Sequence, residues 1–401
     1  MSDAAALPVF RLKPKADARR LRHGHPWAWA DELVLDRRSR ATKAGTIAVL
    51  EDAGRTALGI GIASPDAKIG FRLLDRDPKA KIDPTWIGAR LSAAQTLRET
   101  FYAAPFYRLI HAEGDGLPGL IVDRFDDVLV IQPNLVWLEA RLDVISGALE
   151  ALTGAKTIIK NGTGRARAAD GLPEDIAVLI GQAPQAAIKV PMNGAIYFAD
   201  VMGGQKTGLF YDQRDNHGFT AQLAKDARVL DVFSHVGGFG LAALARGATS
   251  MVAIDSSAAA LSLAAKGAEA IGRSDAFVAH QGDAFVHMAR LAEDGAQFDL
   301  VIADPPAFAP SKAALTQGLR AYERVARLAA ALVASGGYLT LCSCSHAADL
   351  TRFRNACLRG IGRAGRRASL LRTGFAGPDH PQHPSLSETG YLKALTFRLV
   401  A

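Results

Sequence analysis

Five apolar runs in the C-terminal half of the chain end in residues able to bind or react. The first, Val229 to Phe233, opens into DVFSHVGGFG, which carries Asp231, Phe233, Ser234, Gly237, Gly238 and Gly240. Glycines there let the backbone approach a ligand and open the helix that follows. A tight structural turn uses the same residues, but a position between strand and helix is what a nucleotide-binding turn requires. The second run ends in Asp255-Ser256, where a carboxylate can accept hydrogen bonds from both hydroxyls of a ribose. The third is followed by QGDAF, which sets Asp283 and Ala284 where an adenine amine could be held. Each acid could instead cap the next helix. Three in register at successive strand ends favour an adenosine-containing ligand.

The fourth run ends in ADPPAFAPSK. Two consecutive prolines make a rigid, extended turn without backbone donors, which fixes the Asp304 carboxylate and the carbonyls near Pro305 as acceptors for an amine or a base edge. The fifth ends in LCSCSH. A cysteine at the tip of a central strand, on the same rim as Asp304, is a candidate nucleophile, although a buried packing role is the commoner one. Cys342, Cys344 and His346 are poorly spaced for a metal, and His380 and His383 sit in a Pro-rich loop, so no metal is expected.

The elements that must position these residues follow from periodicity. Strands at Val229–Phe233, Met251–Asp255, Ala276–Gln281, Phe298–Asp304 and Tyr338–Ser343 alternate with helical stretches. That is the pattern of an α/β, doubly wound, Rossmann-like parallel sheet, and ligands bind beyond the carboxyl ends of its strands. The last segment, Tyr391 to Val400, alternates apolar and polar as an edge or antiparallel strand would. Upstream, short strand-like runs (Thr46 to Asp52, Thr56 to Ser64, Lys68 to Asp75) indicate a β-barrel-like domain over 1–75. A helix near Ile87 to Thr100, strands at Gly119–Phe125, Val128–Asn134 and Thr157–Lys160, and a helix over Leu138–Leu152 indicate a small central α+β domain over 76–186. The nucleotide-binding pattern then occupies 187–401.

The chain has 401 residues, a formal net charge of +7 and three cysteines. Its composition excludes a wholly disordered chain, and its cysteine usage excludes a disulfide-built secreted domain. Met1 to Phe10 lacks the layout of a signal peptide, and Leu328 to Ser345 reads as a buried helix and strand, not a membrane span. A cytoplasmic protein with no membrane partner is expected. Basic residues cluster in RLKPKADARRLR (Arg11 to Arg22) and again at Arg359, Arg363, Arg366 and Arg367. Such clusters suit a phosphate backbone, and a solvated basic face is the alternative.

Taken together, the motifs resemble a class I S-adenosylmethionine-dependent methyltransferase. Over nearly its full length the chain is similar to the bacterial PUA-domain-containing 23S rRNA cytosine-5 methyltransferases. LRHGHPWAWADEL, EGDGLPGLIVDRF, KTGLFYDQRDNH, DVFSHVGGFG, DPPAFAPSK, CSCS and DHPQHPSLSETGYLK occur in the family's order. The resemblance implies that Asp231, Phe233, Ser234, Gly237 and Gly238 hold the methionine end of S-adenosylmethionine. Asp255 and Ser256 would meet the ribose, Asp283 and Ala284 would lie near the adenine, and Asp304 and Pro305 would border the donor. Phe210, Gln213 and Arg214 would close over the same pocket. The first domain would be a PUA RNA-binding domain acting through Arg19, Arg20, Arg22, His23, His25 and Trp27, with 23S rRNA as partner and a homodimer left open.

The implied chemistry is transfer of a methyl group to C5 of a cytosine. Cys344 would add at C6 to make C5 electron-rich, and Asp304 would hydrogen-bond the base edge. Cys344 is preferred to Cys342 because it lies nearer the rim and aligns with the family's Cys-Ser. Cys357 falls in a helix and reads as packing. Better-known RNA cytosine-5 enzymes carry a second cysteine after the prolines, where this chain has Ala307-Phe308. The group that removes the C5 proton is therefore left unassigned. The rival readings are an rRNA methyltransferase acting on a guanine nitrogen without a covalent step, and a non-catalytic RNA-binding assembly factor that senses S-adenosylmethionine.

Overall fold

The computed structural model describes residues 7–164, 167–168, 170–204 and 207–400. Lys206, which opens the KTGLFYDQRDNH motif, lies outside them, as does the start of the N-terminal stretch read for a leader. The described chain forms two compact units. One comprises the residues up to Ala183 with Asp379–Thr389, the other Pro184–Pro378 with Gly390 onward.

The first unit holds two five-stranded sheets. One is built from Val9–Arg11, Trp27–Ala28, Thr46–Glu51, Ala57–Ala63 and Phe71–Asp75, and encloses Phe10, Leu12, Leu21, Leu33, Leu50 and Phe71. The other comprises Phe106–His111, Leu120–Phe125, Val128–Pro133, Thr157–Asn161 and Ile176–Ile180. Helices Pro84–Phe101 and Leu142–Thr153 contribute Ile87, Leu91, Ile145 and Leu149 to its core. The Pro84–Phe101 helix starts at Asp83, whose side chain accepts from Trp86 N, with Pro84 in the first turn where its missing N–H costs nothing. The returning segment is tied in by Asp379, whose backbone carbonyl accepts from Arg98 Nη2 at 2.8 Å and whose Oδ2 accepts from Arg108 N at 3.1 Å.

In the second unit the strands are β1 (Arg228–Val232), β2 (Ser250–Asp255), β3 (Phe277–Gln281), β4 (Phe298–Ala303), β5 (Val333–Ser343), β6 (Arg367–Gly374) and β7 (Lys393–Val400). They form one seven-stranded sheet in the order β3-β2-β1-β4-β5-β7-β6. β1 to β5 are mutually parallel, and β7 runs antiparallel between β5 and β6. The alternating C-terminal segment is thus antiparallel, as expected, but it is not at the edge, which β6 occupies. The helices are α1 (Arg214–Ala221), α2 (Gly238–Ala245), α3 (Ala258–Ala270), α4 (Ala284–Glu293), α5 (Leu315–Ala331) and α6 (Leu350–Arg363). Leu230, Val232, Val301 and Leu339 pack under Met288, Tyr322, Val325, Phe353 and Cys357, all buried. Cys357 therefore has the packing role read for it. A hairpin, Ile188–Met192 with Ala195–Ala199, precedes the sheet. Its turn, Asn193-Gly194, has φ values of 55° and 80°, which these two residue types adopt at low cost.

Strand order reverses between β1 and β4, where a doubly wound sheet opens a crevice at its carboxyl edge. The turns leaving β1, β2, β4 and β5 meet there.

Candidate cofactor and catalytic site

The β1 turn is built for close approach. Gly237 (φ +82°) starts α2, and a Cβ on it would stand 2.9 Å from Leu241 Cγ and 3.2 Å from Ala264 Cβ. Phe233 (φ 61°) and His235 (φ 50°) also hold left-handed backbone, which side-chain-bearing residues adopt only at a cost, and which collects at functional sites.

Asp231 lies beneath this turn at 1% exposure. Its Oδ2 accepts from Gly240 N at 2.9 Å, whereas Oδ1 is buried with no hydrogen-bond partner, as is Ser234 Oγ. Burial pushes the acid up to about 7, against the Gly240 hydrogen bond, and the charges of Asp304 and Asp255 push the same way. A buried carboxylate oxygen with no donor, beneath a turn with no room for a Cβ at Gly237, fits the ammonium end of an amino-acid-bearing ligand. These residues suit the methionine end of S-adenosylmethionine.

Asp255 joins the β1 and β2 turns, accepting from His235 N (2.9 Å, Oδ2) and Ser257 N (2.8 Å, Oδ1). The cap of α3 is Ser257, which accepts from Ala260 N, so Asp255 is not spent as a cap. With one donor on each oxygen it keeps lone pairs for ribose hydroxyls. Ser256 is exposed beside it. Asp283 does take the capping role, accepting from Val286 N at 3.0 Å. Its neighbour Ala284 is buried.

The residues at the start of α1 approach the same rim. The Phe210 ring lies 5.0 Å from that of His235 in the β1 turn. Gln213 is buried, takes a hydrogen bond from Asn216 Nδ2 at 2.7 Å, and sits against the Cys342 thiol. The Arg214 guanidinium lies 5.3 Å over the Tyr211 ring.

Asp304 leaves β4 half-buried, its N–H donating to Val232 O at 3.2 Å, with Pro305 buried behind it. On β5, Cys342 is 1% exposed. Burial raises its thiol well above the ordinary value, and Asp304 adds to the shift. Cys344 lies just past the strand end and is half-buried. The geometry thus separates the two thiols, and only Cys344 reaches solvent.

The turn around Cys344 is anchored on both sides. Ser343 Oγ donates to Tyr322 Oη at 2.9 Å, Ser345 Oγ lies 2.8 Å from the same oxygen, and Ala309 N donates to Ser345 Oγ at 3.0 Å. Tyr322, raised to about 12 chiefly by burial, stays a neutral hydrogen-bonding group. Lys393 Nζ donates to the carbonyls of Ser345 (2.7 Å) and Ala348 (2.8 Å).

Sequence reasoning missed Tyr322, Lys393, Asn216, Phe285 and Phe308. Phe233, Phe285 and Phe308 lie 6.2 to 6.4 Å apart, centroid to centroid, where the β1 turn, α4 and the Pro-Pro turn converge. The available signal was position: Phe285 and Phe308 fall within four residues of the strand-end acids Asp283 and Asp304.

Among the RNA-directed residues of the first unit, most are already engaged. Arg20 makes a two-pronged contact with Glu32 (2.9 and 2.7 Å) and approaches His25 (2.9 Å). Arg22 pairs with Asp52, and Trp27 Nε1 donates to Glu113 Oε1 at 3.1 Å. Arg19 and His23 are exposed. Burial, followed by the Arg20 charge, lowers His25.

The second unit carries a more concentrated basic feature. A concavity of about 600 Å³ between α5 and α6 is lined by Arg320, Arg324, Arg327, Arg359 and Arg363, with Glu323 as its acid. Among the described residues no group of three or more His, Cys, Asp or Glu could hold a metal ion. No helix among them is long and apolar enough to cross a membrane.

Comparison with known proteins identifies the family. Residues 107–398 match the family described as S-adenosylmethionine-dependent methyltransferase, and residues 10–76 match a PUA-like domain. The chain is 33% identical over 398 residues to "Ribosomal RNA large subunit methyltransferase I" of Aeromonas salmonicida, covering 98% of this chain and 100% of the relative. It is 32% identical over 409 residues to "Ribosomal RNA large subunit methyltransferase" of Deinococcus radiodurans, covering 99% of each. A solved Streptococcus mutans protein assigned to the S-adenosylmethionine-dependent methyltransferases shares the fold, with a TM-score of 0.82 at 18% identity, covering 98% of this chain and 100% of that one. The chain therefore belongs to the S-adenosylmethionine-dependent methyltransferase family, with a PUA-like domain near its N-terminus and S-adenosylmethionine as its cofactor.

Proposed function

We propose that this protein methylates C5 of a cytosine in large-subunit (23S) rRNA, in the cytoplasm, through a covalent bond between Cys344 and C6 of the base. The relatives named as large-subunit rRNA methyltransferases support the substrate class. The observation that carries the reading is the half-buried thiol of Cys344, held just past β5 beside β4, the strand that leads into Asp304. An enzyme acting on a nitrogen needs no thiol there, because the nitrogen attacks directly.

Cytosine C5 is a weak nucleophile until C6 is saturated. The Cys344 sulfur donates an electron pair to form the S–C6 bond, and the C5–C6 π pair moves onto C5 and the ring. Asp304 accepts a hydrogen bond from the exocyclic amine and fixes the ring against the attack. Asp231, the glycine turn and Asp255 would hold S-adenosylmethionine, which when bound would supply an electrophilic methyl group for C5 and leave as S-adenosylhomocysteine. A base then takes the C5 proton, the C5–C6 double bond re-forms, and sulfur leaves as thiolate. The base must be unstacked to enter, at a cost of a few kcal/mol.

In this reading residues 1–75 position RNA, 76–186 link, and 187–401 catalyse, with Phe210, Gln213 and Arg214 closing the pocket. The test is mass-spectrometric mapping of 23S rRNA methylated by the purified protein. A new 5-methylcytosine absent from RNA treated with Cys344→Ala supports the reading. A methylated guanine, or a Cys344→Ala variant of near-normal turnover, overturns it.

A further inference from the structure

The mechanism above leaves the buried Lys393 without a task. Lys393 lies at the start of β7, paired in register with Ser343, and is 4% exposed. Its ammonium donates to two backbone carbonyls of the turn leaving β5, those of Ser345 and Ala348. Among the described residues no carboxylate comes within 4.0 Å of it. Burying an ammonium on neutral dipoles alone is expensive, and natural cores normally supply a counter-ion.

Holding the turn does not require that charge. Tyr322 already binds both serine hydroxyls, and Ala309 N donates to Ser345. A neutral side chain could satisfy the two carbonyls less expensively. What the turn holds between its two anchored serines is Cys344, and the Lys393 ammonium sits one peptide unit from it.

We infer that Lys393 is a positioning residue that serves as the fixed counter-charge of the Cys344 thiolate. This inference rests on the proposed role of Cys344 as nucleophile. In the resting protein the Cys344 proton is lost to solvent, while the ammonium keeps its own three protons, two of them on the carbonyls. The negative charge on sulfur then offsets the burial of the cation.

The groups facing the pair bear on its sign. From β5 comes Cys342, from the turn after it Asp349, and from α5 the neutral Tyr322. Burial is the leading influence on Lys393 and pulls it down to about 8, while Cys344 and Asp349 favour its charged form. Asp349 is exposed at the N-cap of α6. Asp304 acts on Cys342, which stays protonated in its buried position.

The test is the pH dependence of iodoacetamide alkylation at Cys344, read by tandem mass spectrometry on the full-length protein without RNA. In the unaltered protein the midpoint should lie below the ordinary thiol value of about 8.5. Lys393→Met should raise it by about one unit, slowing alkylation near neutrality about tenfold. Lys393→Gln, which keeps a donor for the carbonyls but not the charge, should do the same, whereas Lys393→Arg should retain part of the shift. The acid limb of kcat/KM should move with the alkylation midpoint. Cofactor affinity, checked alongside, should not change.

A midpoint at or above the ordinary value in the unaltered protein overturns the inference, as does an unmoved midpoint in folded Lys393→Met or Lys393→Gln. If Cys344→Ala stays active, the nucleophile reading itself fails, whatever the alkylation curves do. If Cys344→Ala is inactive and the lysine variants leave the midpoint unmoved, only the lysine assignment fails.

Discussion

Ala303 of β4 pairs in register with Leu341 of β5, so Asp304 stands level with Cys342 while Cys344 lies two residues farther out on the rim. The buried thiol is thus the one nearest the acid in the sheet, and the accessible thiol is the one beyond it. Burial, and after it the charge of Asp304, raises the Cys342 thiol, which suits a packing cysteine and not a nucleophile. Cys342→Ala should therefore cost on the order of 1 kcal/mol of stability by urea unfolding and leave turnover within a few-fold of normal.

Asp231 should make cofactor binding pH-dependent. Its pKa in the fold, about 7, lies above the ordinary 3.8. The folded protein therefore favours the protonated acid, so ionisation of Asp231 lowers apo-protein stability as pH climbs between those values. A cationic ligand favours the ionised acid, so S-adenosylmethionine affinity should rise as pH passes through about 7. Calorimetric titration should show that rise. Asp231→Asn should flatten it and weaken binding roughly tenfold to a hundredfold.

Gly237→Ala tests the turn itself. The new methyl would meet Leu241 and Ala264 at a backbone angle of +82°. A destabilisation of about 1–3 kcal/mol is expected by urea unfolding, with weaker cofactor binding.

The βα alternation from Val229 onward was legible because the central parallel strands β1, β4 and β5 are largely buried on both faces and read as apolar runs. The strand-end acids, the glycine turn and the cysteine pair could be picked out for the same reason. The hairpin Ile188–Ala199 was missed although Asn193-Gly194 marks it, because nothing distant signals where it packs. Phe106–His111 and Ile176–Ile180 were missed although each pairs with its neighbouring strand in sequence, because neither run shows the apolar–polar alternation of a half-buried strand. Lys393 was the costliest omission. In YLKALTFRLV a lysine at an alternating position reads as solvent-facing, and only the turn after β5, about fifty residues earlier, supplies the carbonyls that hold it inside.

The arginine-lined concavity between α5 and α6 should contribute to RNA affinity by counterion release. Arg320 and Arg327 are exposed there, and Arg363 is shared with Glu323. Replacing all three with Gln should reduce the slope of log affinity against log salt by roughly 2, measured on a protein-free 23S rRNA transcript. An unchanged slope would mean that RNA does not use this face.

A buried ion pair anchors the first unit. Arg98, at 0% side-chain exposure, grips Asp115 through two nitrogens at 2.6 and 2.7 Å and also donates to Asp379 O. Arg98→Met would leave the Asp115 carboxylate buried without its cation. The expected loss is about 3–5 kcal/mol, read as a lower urea midpoint.

The central claim is a sulfur–carbon bond to the base. Incubating the protein and cofactor with 23S rRNA containing 5-fluorocytidine tests it directly, because fluorine at C5 leaves no proton to remove and so holds the adduct. The account predicts a denaturant-stable protein–RNA complex whose crosslinked peptide carries the nucleotide on Cys344, and which is absent in Cys344→Ala. A rapid methylation of unsubstituted RNA with no such complex, or a crosslink at Cys342, would contradict it.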